Sequence, residues 1–407
     1  MPATIPSASP LRTCSVAAAA ADARLGTFEG TVLDAATGAT LFDRNGQKAS
    51  RTASVMKTLT AATALADLGA GYRFTTTVTG TGGAIALVGG GDPTLSATPV
   101  GSESLYTGAP KLATLATEVK AKVGKTPITT IDLDDTYWND ADRYDASWPV
   151  TERTIGYQPE IVALMIDGDR ANPSLATSPR SVDPVGRAGD AFRKALVAAG
   201  VPGASTAVIT RGAATSTTVL AKVQSQPIST LIGQMIPNSD STLAEMMARV
   251  SSKVSGGDGS AASLTSVYRA ALTKTYGLDA SGITIIDGSG ESLNDGVPAA
   301  LVANLMRQVL ARSHSLGILY DALPISGETG TLTGRFVGAN AVARGAVHAK
   351  TGSIASAYTL AGVIDARDGT KLTFAFYAIG NVSGSAMSAI DTLTTAVYAC
   401  GGNLSTQ

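Results

Sequence analysis

The chain has few of the residues on which most hydrolytic and metal chemistry depends. Its 407 residues contain two histidines, His314 and His348, and two cysteines, Cys14 and Cys400. A Ser-His-Asp hydrolase needs a well-placed histidine, and no Gly-x-Ser-x-Gly elbow is present to hold its nucleophile. His348 stands two residues before Lys350, so on a strand both point to one face; His348 is expected to be a packing or surface residue. The cysteines lack metal-ligand spacing. They close a disulfide, which would imply an oxidising compartment, or stand as two separate thiols, and the sequence leaves both open. No run approaches the ~20 apolar residues of a membrane-spanning helix. The N-terminus lacks the basic region and apolar segment of an export signal, which leaves a cytosolic protein or one whose signal has been removed. Thirty-one basic residues against thirty-two acidic ones, without long runs of either sign, offer no field for nucleic acid or an anionic membrane. Gly89-Gly90-Gly91 is not a phosphate loop, since no Lys-Ser/Thr follows at the required place. No cofactor or metal is expected.

The chain does contain a self-sufficient nucleophile and base. In Thr52-Ala53-Ser54-Val55-Met56-Lys57-Thr58, Ser54 and Lys57 are three residues apart, and on a helix such positions share a face. This is the only Ser-x-x-Lys in the sequence. Leu59, Ala62, Leu65 and Leu68 continue at helical spacing and Gly69 is a stop signal, so Ser54 falls in the first turn of a helix, where free N–H groups favour developing negative charge. Alone, the motif is weak, because a serine there is as readily a helix cap.

Two further motifs decide the matter. Ser239-Asp240-Ser241 precedes Thr242-Leu243-Ala244-Glu245, which fits a capping box, so Ser239 and Ser241 are expected in the loop before a helix with their side chains toward a cleft. Lys350-Thr351-Gly352, the only such triplet, lies in a strand-like run from Gly345 to Ile354. That run is followed by Ala357 to Asp365, a turn at 366–369, and Lys371 to Ala378. These three strands, and a hairpin between Gly30 and Phe42, predict an antiparallel sheet. Within the segment before Pro227, Leu112 to Val123 and Arg187 to Ala199 read as helices and Ile128 to Leu133 as a strand.

With these motifs in this order, the chain resembles bacterial D-alanyl-D-alanine carboxypeptidases and endopeptidases of the class C, low-molecular-mass penicillin-binding proteins, of the penicillin-binding protein 4 type. Leu87 to Leu95, Asp287-Gly288-Ser289-Gly290, and Gly330-Thr331-Leu332 with Arg335 look like further family landmarks. Ser239 comes 182 residues after Lys57, a longer separation than in the otherwise similar class A β-lactamases, whose Glu-x-x-Leu-Asn pattern is also absent. The resemblance implies an α/β (α+β) fold: a discontinuous transpeptidase-like domain from residues 1–72 and 228–407, its antiparallel sheet flanked by helices, with residues 73–227 inserted as one or two small domains. It implies an exported bacterial enzyme acting on peptidoglycan peptides ending in D-Ala-D-Ala and acylated by β-lactam antibiotics.

The resemblance also implies roles. Ser54 attacks, Lys57 takes its proton, and Ser239 relays a proton to the leaving amine. Lys350 and Thr351 bind the terminal carboxylate, and the backbone N–H groups of Ser54 and of Ser353, just after Gly352, form the oxyanion hole. Ser241 stands where the family has asparagine, so weakened substrate positioning is expected. Two other readings follow from the same residues: a β-lactamase-like hydrolase, and a non-catalytic binder of cell-wall peptides.

Overall fold

A computed structural model describes residues 12–405 of the chain; the outermost residues of the expected 1–72 and 228–407 segments lie outside that range. The strand Lys371–Ile379 pairs with Ala357–Asp365 on one side and Thr27–Asp34 on the other. Val347–Ile354 and Thr40–Arg44 complete the two edges. One five-stranded, wholly antiparallel sheet is thus built from both ends of the chain. Side chains alternate across it. Phe374, Phe376 and Ala378 enter a core with Ile390, Leu393 and Val397 of the helix Ser385–Cys400. Ala375 and Tyr377 face a second core with Val302, Leu305 and Met306 of the helix Ala299–Leu310. Covered on both faces, Leu372 to Ala378 have no solvent side and all are buried.

A second five-stranded sheet lies wholly between Thr75 and Gln224. Thr130–Asp134 pairs in parallel with Ala84–Val88 and Val208–Arg211, while Thr75–Thr81 runs antiparallel between Ala84–Val88 and Val219–Gln224. Leu112–Val123 is a helix with the expected bounds. The other starts earlier than its periodicity suggested, at Pro184, because Asp183 caps it by accepting from the Gly186 N–H and proline suits a first turn.

The helix that follows Ser54, Met56–Asp67, is buried from Met56 through Leu65. Its Ala and Thr residues let the helices Ser241–Val254 and Ala261–Tyr276 pack close against it. At the rim of the fold Cys14 and Cys400 form a disulfide, 386 residues apart in sequence. A closed loop of that length restricts the unfolded chain strongly, and losing a native disulfide typically costs roughly 2–5 kcal/mol. Replacing both cysteines with serine should therefore lower the melting temperature, and reductant should reproduce the shift in the wild type alone.

Candidate active site

Ser54 lies in a single 3-10 turn, Ala53–Val55, leading into the helix Met56–Asp67. Ala53 has φ of 46° and is fully buried, a conformation held only where surrounding structure over-determines it. Two contacts do so. Thr359 Oγ1 donates to the Thr52 carbonyl at 2.6 Å, and the α-carbon of Gly290 lies so close that a Cβ there would overlap the Ala53 carbonyl. One turn on, Lys57 Nζ donates to Ser54 Oγ at 2.8 Å, to the Ser289 carbonyl at 2.8 Å and to Ser241 Oγ at 3.3 Å.

The second motif sits between two helices. Ser239 closes Ile228–Asn238 in a left-handed conformation, φ 54°. Asp240 is the N-cap of Ser241–Val254, accepting from the Leu243 N–H at 3.0 Å, and Ser241 is the first helical residue. The expected Thr242–Glu245 capping box does not form, because Asp240 already takes that role. Glu245 instead turns inward and accepts from the backbone N–H groups of Ser289 and Gly288.

The third motif lies on the edge strand Val347–Ile354, beside the turn Ala53–Val55. Lys350 is fully buried rather than an exposed edge charge. Its Nζ donates to Ser239 Oγ at 2.9 Å, and Thr351 Oγ1 donates to Thr331 Oγ1 at 2.8 Å. Gly352 explains the triplet's last letter: a Cβ there would meet Thr359 Oγ1, the Thr52 carbonyl and the Ala53 Cβ, so only glycine lets strand and turn touch. Ser353 is exposed to the cleft. Ser54, Ser239, Ser241, Thr351 and Ser353 line one cleft of about 450 Å³, and Lys57 and Lys350 reach into it from below through their hydroxyl partners. His348 lies away from it, half-buried and stacked on Tyr320 with ring centroids 5.4 Å apart.

Among the described residues, both amines hydrogen-bond only to hydroxyl and carbonyl oxygens. Burial lowers the Lys57 pKa, although the fields of Glu291, Asp287, Glu245 and Asp240 oppose the shift. Burial also takes Lys350 well below the usual lysine range, and the positive charge of Lys57 adds to the effect. A neutral amine beside a hydroxyl is the state a base requires. Burial is what lowers Lys57, and the repulsion between the two amines is felt at Lys350.

Several site residues gave no motif signal. Arg170 and Arg180 come from the segment between Tyr72 and Pro227. Arg170 Nη2 pairs with Asp240 Oδ2 at 2.7 Å with both side chains buried, and its Nη1 donates to Tyr106 Oη at 2.6 Å. Arg180 donates to the Gly156 and Gly168 carbonyls and to Thr242 Oγ1; burial and the nearby Arg170 lower its pKa to about 10. Thus the second motif is pinned from outside its own helices. Asp287 accepts from the N–H groups of Gly290 and Ser292 and from Trp148 Nε1. It shapes the loop that supplies the Ser289 carbonyl to Lys57. The Asp-Gly-Ser-Gly run was legible as a landmark, but not as a contact to the amine.

The chain is similar to known proteins along most of its length. The model of the D-Ala-D-Ala carboxypeptidase 3 (S13) family matches residues 13–181 and 175–397. The chain is 34% identical over 395 residues to carboxypeptidase DacB of Mycolicibacterium smegmatis, covering 95% of this chain and 84% of that protein. It is 28% identical over 443 residues to a D-alanyl-D-alanine carboxypeptidase of an Actinomadura species, covering 88% and 78%. Penicillin-binding protein 4 of Haemophilus influenzae shares the fold, with a TM-score of 0.79 at 19% identity over 94% of this chain and 99% of that one. The chain belongs to the D-Ala-D-Ala carboxypeptidase 3 (S13) family and is a peptidase, a hydrolase with the penicillin-binding protein 4 fold. None of its described helices is long and apolar enough to cross a membrane.

Proposed function

We propose that the chain is a serine D-Ala-D-Ala carboxypeptidase and endopeptidase that works outside the cytoplasm on peptidoglycan stem peptides, and that β-lactams acylate the same serine. The observation that carries this reading is the convergence of Ser54, Lys57, Ser239 and Lys350 on one cleft, with Lys57 Nζ 2.8 Å from Ser54 Oγ. Lys57 takes the Ser54 proton as Oγ attacks the penultimate carbonyl carbon, and the tetrahedral intermediate is stabilised by the backbone N–H groups of Ser54 and Ser353. Ser239, bonded to Lys350, passes a proton to the leaving D-Ala nitrogen. Lys350 and Thr351 hold the terminal carboxylate, a charge that favours the ammonium form of Lys350 once substrate is bound. Water then hydrolyses the acyl-enzyme.

In this reading residues 1–72 and 228–407 are the catalytic domain, and 73–227 are an insertion that braces it. The disulfide supports an oxidising compartment. Incubation with a synthetic peptide ending in D-Ala-D-Ala, followed by mass analysis, tests the proposal: release of D-Ala with a transient acyl adduct on Ser54 is expected, and an intact peptide with no adduct refutes it. Ser241 accepts from Lys57 at a long 3.3 Å, and its hydroxyl offers fewer groups to a peptide than an amide. Ser241→Asn is therefore expected to raise peptide turnover about 2–10-fold, the worth of one added hydrogen bond. Steady-state kinetics would check this.

A further inference from the structure

The loop from Asp287 to Ser292 is held at nearly every residue. Trp148 Nε1 donates to Asp287 Oδ2 at 2.7 Å, and Ser147 Oγ and Ser292 Oγ lie 2.7 Å apart. The N–H groups of Gly290 and Ser292 donate to Asp287. Those of Gly288 and Ser289 donate to Glu245, and the Ser289 carbonyl accepts from Lys57. Within this loop the Glu291 carboxyl has neither a hydrogen bond nor an ion pair among the described residues and lines the cleft together with Ser54, whereas the Ser289 hydroxyl, which also lacks a hydrogen bond, is buried. It follows Gly290, whose α-carbon rests on the carbonyl of the residue before the nucleophile. A fixed, unpartnered carboxyl beside a reacting centre is a preorganised group without a structural task.

We propose that Glu291 is a further catalytic residue, the general base that draws a proton from the water hydrolysing the Ser54 acyl-enzyme. This rests on the acyl-enzyme reading above. The water oxygen bonds to the acyl carbon as its proton passes to the Glu291 carboxylate. The bond from that carbon to Ser54 Oγ then breaks, and Oγ recovers a proton through Lys57 Nζ, which Glu291 replenishes. Burial and the facing Glu152 carboxylate raise the Glu291 pKa to about 7; Asp287 and Glu245 add to the shift, and Lys57 opposes it. A base of that strength suits neutral conditions. Its carboxylate form is lost as pH falls through 7, so hydrolysis slows in acid.

The test uses the full chain acylated with benzylpenicillin, following adduct release by mass spectrometry from pH 5 to 9. Glu291→Gln is expected to release the adduct about 100-fold more slowly, the typical worth of a general base, and to lose the inflection near pH 7, while acylation stays within a few-fold of wild type. Glu291→Asp, which keeps the carboxylate, should recover part of the rate and the inflection. Unchanged release and pH profile in Glu291→Gln overturn the proposal. So does an equal slowing of acylation and release, or an effect confined to KM for peptides with a cationic side chain. If wild type forms no adduct, the acyl-enzyme reading itself fails, a result distinct from each of these.

Discussion

Lys57→Met will acylate Ser54 about 10²–10⁴ times more slowly than wild type, the usual range for losing a positioned general base. Methionine keeps an unbranched apolar stem in the fully buried site, so the fold should survive and the loss will fall on proton transfer. The time course of labelling by a fluorescent penicillin measures it, with a melting curve to show that the protein is intact. Ser54→Ala should abolish labelling altogether. In wild type the acylation rate should fall in acid, because the base works only as a neutral amine. The midpoint should lie below the ordinary lysine range, since burial lowers the Lys57 pKa. A Lys57→Met enzyme that labels at the wild-type rate would remove the amine from the mechanism.

Arg170→Ala should be the most damaging single change to stability, costing about 3–5 kcal/mol, because it leaves Asp240 buried and unpaired. Denaturant unfolding of the variant measures this directly. Burial opposes ionisation of Asp240, yet Arg170, the Leu243 N–H and Arg180 outweigh it and hold its pKa below the usual carboxylate value. The group therefore contributes stability above the ordinary aspartate range and loses it as pH falls toward its lowered folded value. Arg170→Ala should flatten that part of the acid limb. The variant should also lose acylation rate, since Asp240 caps the helix that begins at Ser241 and lies between both serines of the second motif. Unchanged stability would mean that the segment between Tyr72 and Pro227 does not brace the site.

How much of this was legible in the chain varies by element. Ser54 and Lys57 were readable because three residues of helix fix their separation whatever surrounds them. The hairpins were readable because turn residues and apolar runs are local signals, but the pairing of Thr27–Asp34 with Lys371–Ile379, which joins them into one sheet, spans most of the chain and carried no local signal. The capping box failed for an equally physical reason. Thr242 and Glu245 have the right spacing, but Asp240, accepting from the Leu243 N–H, starts the helix at Ser241 and leaves Thr242 inside it, and the loop at Gly288 and Ser289 offers donors to Glu245. Local pattern cannot rank a partner 43 residues away.

The Ser-x-x-Lys pair and the two later motifs were readable without a fold, because each depends on residue identity and short spacing. Tertiary structure alone decided that Lys350 meets Ser239, that Gly352 lies against Ala53, that Arg170 neutralises Asp240 and that Glu291 shares the cleft of Ser54. These contacts join segments up to several hundred residues apart, and burial, which lowers the pKa of both lysines, exists only after the two ends of the chain have closed around the helix Met56–Asp67.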